Sequence, residues 1–243
     1  MTPIYYDLHI HSGLSPCADN DMTPNDIVSM SVLNGLSLIA VTDHNTFANV
    51  APVMKAAEGK KLIVLPGAEM ETSEEVHVIC LFYALEQALG FENAISPYFS
   101  KMKNRRDIFG DQLIYDEYDN ITGEMERMLI APVAISFDDL YNITKGHGGA
   151  FIPAHIDRDS YSVISNLGFL PPHLEFPTIE VSSRGFDGGF IGRNSGRFPN
   201  SRIICSSDAH HLWDIAGMDH QINLRERTPE AAVESLKTVY NPF

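Results

Sequence analysis

Seven short apolar runs punctuate the chain, at residues 4–10, 37–41, 62–65, 76–83, 150–153, 178–181 and 202–205. Most show little polar alternation, the pattern of parallel strands covered on both faces. Helix signals lie between them. Thr23-Pro24-Asn25-Asp26 combines an N-cap, a first-turn proline and a capping acid ahead of the apolar residues 27–33. A second helix is predicted over 45–57, ending near Gly59, and a third over 160–167, stopped by Gly168. Thr228-Pro229-Glu230 opens a last helix running to about residue 239. Strand–helix alternation of this kind predicts an α/β fold with a parallel sheet. No repeat with a period of 20–50 residues is visible.

Residues 97–130 break the rhythm. They are charged and tyrosine-containing, and segments 112–115 and 125–130 flank Asp119-Asn120-Ile121-Thr122-Gly123, which reads as a turn. The segment is predicted to be an inserted helix and hairpin, either a lid or a solvated excursion. Its acids lack the spacing of a calcium loop.

Length and composition narrow the picture. A chain of 243 residues fits one large domain of α/β-barrel type, or two small ones. No basic segment followed by an apolar run opens the chain, so no signal peptide is expected. No stretch approaches the roughly 18 apolar residues of a membrane span, so no membrane partner is expected. Cys17, Cys80 and Cys205 are few and odd in number, which argues against a disulfide framework and for a reducing, cytoplasmic setting. The formal net charge is -15. Such a surface repels polyanions, so extended nucleic-acid binding is not expected. A small anionic substrate remains compatible, because bound cations reverse the potential locally.

The chemistry emerges from position. Following each predicted strand to its C-terminal end gives His9-Ile10-His11, then Thr42-Asp43-His44, then Gly67-Ala68-Glu69, then His155, then Ser183-Arg184, and finally Ser207-Asp208-Ala209-His210. His77 sits inside the fourth strand, near its start. In a parallel α/β barrel the strand C-termini share one face, and active sites are built there. Residues i and i+2 of a strand project the same way, so His9 and His11 can grip one ion. Imidazole with carboxylate suits zinc, manganese or iron. More than six candidate ligands exceed what one tetrahedral ion uses, so two or three divalent ions are expected. His147 falls in a glycine-flanked loop before a strand, His173 and His220 lack ligand-like neighbours, and His211 points away from His210 if that segment is extended. The glycine-rich segment 185–196 has no Lys-Ser/Thr ending and is no P-loop.

The series Asp7-Leu8-His9-Ile10-His11, Thr42-Asp43-His44, Gly67-Ala68-Glu69, His77, Pro153-Ala154-His155 and Ser207-Asp208-Ala209-His210 resembles the PHP (polymerase and histidinol phosphatase) domain family. The resemblance covers about residues 5–212. It implies a distorted, TIM-barrel-like (β/α)7 barrel, here one domain over 1–243 with an insertion at about 97–130. It also implies phosphoester hydrolysis at a centre of up to three metals, by attack of a metal-bridging water without a covalent nucleophile. The family pattern suggests His9, His11 and Asp208 on a first metal, Glu69 bridging to a second with His77 and His155, and His44 and His210 on a third. A further ligand normally follows the first H-x-H. Counting back from Thr23-Pro24 selects Asp19, and counting forward from His11 reaches Pro16 or Cys17. Asp19 is favoured, with Cys17 the alternative.

Arg184 is the first candidate phosphate clamp and Arg158 the second, since a guanidinium pairs bidentately with phosphate. Asp43 is a candidate to orient a ligand histidine from behind. A small phosphorylated metabolite or nucleotide is the expected substrate. The alternatives are a 3′-exonuclease or repair-associated nuclease, and a non-catalytic scaffold with structural metals. The oligomeric state is left open.

Overall fold

A computed structural model describes residues 2–194 and 196–238. Its strands are β1 (Thr2–Ile10), β2 (Leu38–Val41), β3 (Ile63–Glu71), β4 (His77–Leu81), β5 (Leu113–Tyr115), β6 (Ile121–Glu124), β7 (Ala150–Pro153), β8 (Thr178–Glu180), β9 (Arg202–Ile204) and β10 (Gln221–Leu224). The main sheet has the order β10-β1-β2-β3-β4-β7, and β8-β9 form a separate parallel pair. Backbone links carry the curl onward. Ile156 N–H donates to Glu180 O at 2.9 Å between the β7 and β8 ends, and His11 N–H donates to Ala209 O at 2.9 Å between the β9 and β1 ends. The result is the expected α/β, distorted TIM-barrel-like architecture.

The sheet is mixed rather than wholly parallel. β1, β2 and β3 are parallel, but β4 runs antiparallel to both β3 and β7. The reason is the connection between Glu71 and His77. It is far too short for a crossover helix, so the chain must return as a hairpin. Glu75 turns the corner with φ 58°. β10, absent from the sequence expectation, pairs antiparallel with β1 at the sheet edge.

Alternation along the strands sorts the core. Ile4, Tyr6 and Leu8 share an interior cluster with Leu38, Ala40, Leu65, Ile79, Leu81 and Ile152. The opposite parity, Ile39 and Val41, packs outward beneath the helix Pro24–Leu33. β1 changes parity partway. A register shift lies between Asp7 and Ile10, and Ile10 joins the outer cluster although Leu8 belongs to the inner one. The shift leaves His9 and His11 on the interior side, above an apolar floor. The helix Pro229–Lys237 seals the far end with Ala232, Val233 and Leu236. The expected end of that helix at residue 239 lies outside the described residues.

Helix caps follow the sequence. Thr23 Oγ1 accepts from Asp26 N, Thr228 Oγ1 accepts from Ala231 N, and Gly168 closes its helix with φ 84°. The second helix begins at Val50, five residues later than expected. Asn45 takes φ 53°, and Asn49 spends its amide on Ser12 Oγ and the Leu113 carbonyl. The helices Leu85–Ile95 and Phe137–Gly146 were not foreseen.

The insertion contains a short helix, Arg106–Phe109, and the β5–β6 hairpin. The turn falls at 116–120, so the second strand lies earlier than the expected 125–130. The insertion is braced against the loop after β1. Leu113 N–H donates to Gly13 O (2.9 Å) and the Tyr115 hydroxyl donates to Asn20 O (2.8 Å). A Cβ on Gly13 would meet the Tyr115 hydroxyl at 2.5 Å, so only glycine permits this approach. Among the described residues, no helix is long and apolar enough to cross a membrane.

Candidate metal centre

Glu69 is the hub. It is almost fully buried, and five imidazoles converge on it. His77 Nδ1 and His155 Nε2 lie 2.9 and 3.1 Å from Oε1, and His9 Nε2 lies 3.3 Å from it. His44 Nδ1 and His11 Nε2 lie 3.2 and 3.5 Å from Oε2. Asp208 Oδ1 closes the other side, 3.1 Å from His11 Nε2 and 3.3 Å from His9 Nε2. His155 and Asp208 hold left-handed φ angles of 30° and 54°, a strained backbone of the kind that concentrates at functional sites.

The antiparallel β4 explains His77. Running opposite to β3, it brings its first residue to the face where the parallel strands end. Its interior parity, His77-Ile79-Leu81, then aims the imidazole at Glu69.

Supporting groups fix each ring. His9 Nδ1 lies 3.0 Å from Glu180 Oε2, which also accepts from His155 N. His11 Nδ1 lies 3.0 Å from Ser15 Oγ, and that hydroxyl donates to Asp43 Oδ1 at 2.7 Å. Ser15 Oγ can then only accept from His11, which leaves Nε2 with its lone pair facing the cluster. Asp43 also accepts from Ser12 N and Oγ. Asp43 therefore reaches a candidate ligand through Ser15. His210 Nδ1 lies 2.7 Å from the Asp208 carbonyl, freeing its Nε2 in the same way.

Protons are divided unevenly. Burial opposes charge on Glu69, yet His77 and His9 beside it hold its carboxyl well below the usual range. Burial likewise opposes charge on Asp208, but His9 and His11 outweigh it and push the carboxyl down. His77 loses some basicity to burial and gains more from Glu69, which lifts it to about 9. His44 and His210 are pushed down by burial and by neighbouring imidazoles.

Three groups of ligand atoms lie within 4.8 Å of one another: His9, His11 and Asp208; His44, Glu69 and His77; and His11, Cys17, His44 and His210. Nδ1 of His44 and of His155 is buried, with no hydrogen-bond partner among the described residues. A buried His155 nitrogen without a partner among the described residues, clustered imidazoles and buried carboxylates form a donor set that fits divalent transition metals.

Asp19 does not join these groups. Its carboxylate lies 3.3 Å from His211 Nδ1, and Cys17 stands where the extra ligand was sought. The sequence could not separate the two, because the loop doubles back between them. Arg158 Nη2 touches Asp208 Oδ2 at 2.6 Å. Arg184 is exposed on the short helix Ser183–Asp187, outside these contacts. His147, His173 and His220 stand apart, packed on Phe91, paired with Asp138 and packed on Phe186. Ser15 and Glu180 were missed. An acid at the end of the buried strand 178–181 was the available signal for Glu180.

Residues 7–148 match the family described as the PHP domain. The 5'-3' exoribonuclease Rnm of Escherichia coli strain K12 is 34% identical over 250 residues, spanning 95% of this chain and 80% of that protein. The chain belongs to the PHP family. It is a metal-dependent hydrolase acting on phosphoesters. Two solved structures extend the likeness in fold. The lesion-specific endonuclease PfuEndoQ of Pyrococcus furiosus superposes with TM-score 0.69 at 16% identity, covering 97% of this chain. Endonuclease Q bound to a 27-mer duplex with an abasic lesion gives TM-score 0.67 at 16% identity over 97% of this chain. The PHP chain spans 56% and 57% of those two proteins.

These comparisons overturn the expectation of a small phosphorylated metabolite as partner and of no extended nucleic-acid binding. The relatives are nucleases. The inference from net charge failed because it averages the whole surface, whereas cations held in a cleft set the local field.

Proposed function

We propose that this PHP protein is a metal-dependent nuclease that hydrolyses RNA from its 5′ end. The observation that carries the reading is the similarity to a 5'-3' exoribonuclease along 95% of the chain, joined to an unbroken ligand cage. Of the two alternatives to a phosphatase, the nuclease is therefore preferred to the scaffold, with 5′ rather than 3′ polarity.

Three metal positions account for the donors. His9, His11 and Asp208 serve the first. Glu69, His77 and His155 serve the second, and His44, His210 and Cys17 serve the third, with Cys17 replacing Asp19. Zinc, manganese or iron suits this mixture of nitrogen, oxygen and sulfur. When bound, such ions polarise phosphoryl oxygens and lower the pKa of water.

The chain's own residues position and restrain. Glu180 holds the His9 ring and the His155 backbone. Ser15, backed by Asp43, holds His11. Arg158, already at the Asp208 carboxylate, is the nearer of the two candidate clamps for a substrate phosphate, and Arg184 offers a second cation further along the rim. The chain acts as one unit, because the insertion is braced against the loop that carries Ser15 and Cys17.

The test is a manganese- or zinc-supplemented digestion of single-stranded RNA labelled at either end. Stepwise release of 5′ mononucleotides supports the reading. Turnover of simple phosphomonoesters with every oligonucleotide left intact would sink it.

A further inference from the structure

Trp213 is the sole tryptophan, and its residue is 75% exposed. It lies on the turn Leu212–Asp214, three residues beyond the candidate ligand His210. Leu212 and Ile215 pack into the hydrophobic cluster beneath, so the turn is anchored while the indole stands out. The indole lies flat on His211, with ring centroids 4.8 Å apart and planes 6° from parallel. The Asp19 carboxylate lies 3.3 Å from Nδ1 at the edge of the His211 ring, and Asp19 N–H donates to the His210 carbonyl at 2.9 Å. The stack is thus built from the two loops that carry Cys17 and His210. One indole face is covered by imidazole, and exposure of this size leaves the other open.

We propose that the Trp213–His211 pair is a stacking platform for an unpaired nucleobase of the substrate, next to the metal centre. This rests on the nuclease reading. Charge balance favours it. Cations in the cleft attract phosphate only locally, and the rest of a surface with net charge -15 adds little to that attraction. Stacking on an aromatic face needs no net charge, accepts any base, and requires a single strand. His211 stiffens the platform and Asp19 fixes its plane, which gives that aspartate a role away from the metals.

Because Trp213 is the only tryptophan, intrinsic fluorescence reads the site directly. The metal-loaded protein is titrated with a 2′-O-methyl oligonucleotide, with the same oligonucleotide lacking its terminal bases, and with inorganic phosphate. Quenching by the first probe alone is expected. For cleavable RNA, Trp213→Ala should raise KM by roughly tenfold with kcat little changed, and Trp213→Phe should recover most of the loss. If the protein cleaves RNA, yet the base-bearing probe leaves the emission unmoved and Trp213→Ala leaves KM unchanged, the platform is wrong and the nuclease reading stands. If no oligonucleotide is bound or cleaved, both fall.

Discussion

Glu69 Oε1 and His77 Nδ1 stand 2.9 Å apart because β3 and β4 run in opposite directions. The hairpin that joins them brings the start of one strand to the level where its neighbour ends. In the proposed ligand scheme, the contact ties the bridging carboxylate to the second metal position. Glu69→Gln removes the charge shared by five imidazoles and keeps the shape. Bound metal, measured by elemental analysis, is expected to fall sharply, with RNA turnover down by at least on the order of 100-fold. Metal content and rate equal to the parent protein would refute the bridging role.

His155→Ala tests the same position from β7. The imidazole offers Nε2 to Glu69, while its Nδ1 is buried and unpaired among the described residues. The substitution is expected to lose metal and most turnover. The left-handed φ of 30° at this residue is not eased by alanine, so strain remains and the missing ligand alone accounts for the loss. Circular dichroism should show the fold retained.

Much of this centre was legible in the sequence, because buried parallel strands advertise themselves as apolar runs and their ends are read directly. His9, His11, His44, Glu69, His155, Asp208 and His210 all followed from that rule. His77 did not. It became intelligible only once the strand direction was known, and direction is decided by a five-residue connection. Glu180 was hidden for another reason. Its carboxylate sits inside an apolar run, and only its partners, His9 and the His155 backbone, show why an acid is tolerated there. Asp19 and Cys17 are two residues apart in a folded loop, where counting along the chain says nothing about which side chain turns inward.

Cys17 makes the third position testable by spectroscopy. Its Sγ groups with His11, His44 and His210. The cobalt-substituted protein is expected to show an intense sulfur-to-metal charge-transfer band in the near ultraviolet. Cys17→Ser should abolish the band, and Asp19→Asn should leave it. The reverse pattern would return the ligand to Asp19.

Glu180→Gln probes support rather than ligation. The carboxylate accepts from His9 and keeps that ring's Nε2 turned toward Glu69 and Asp208. An amide can offer either a donor or an acceptor to His9 Nδ1, so the tautomer is no longer fixed. Metal affinity by competition with a chelator should weaken by roughly 10–100-fold, while the metal-free protein keeps its fold. An unchanged affinity would assign Glu180 to packing alone.

Metal binding should also carry a proton signature. Ligand imidazoles must be neutral to coordinate, so binding releases any protons they hold. In the metal-free protein, Glu69 lifts His77 to about 9 against the opposing effect of burial, so at pH 7.5 its ring is mostly protonated. A cation entering there must displace that proton. The sign follows. As pH rises from neutrality toward about 9, less work is spent on deprotonation and apparent affinity should increase, by up to about tenfold per unit for one proton released. Calorimetry at pH 7.5 in two buffers of different ionisation enthalpy should give different apparent heats, their slope equal to the protons released. At pH 9.5 the His77 contribution to that slope should fall to roughly a quarter of a proton. Glu69→Gln removes the stronger of the two carboxylates that raise His77, leaving Glu71, so for the metal this variant still binds the contribution at pH 7.5 should shrink.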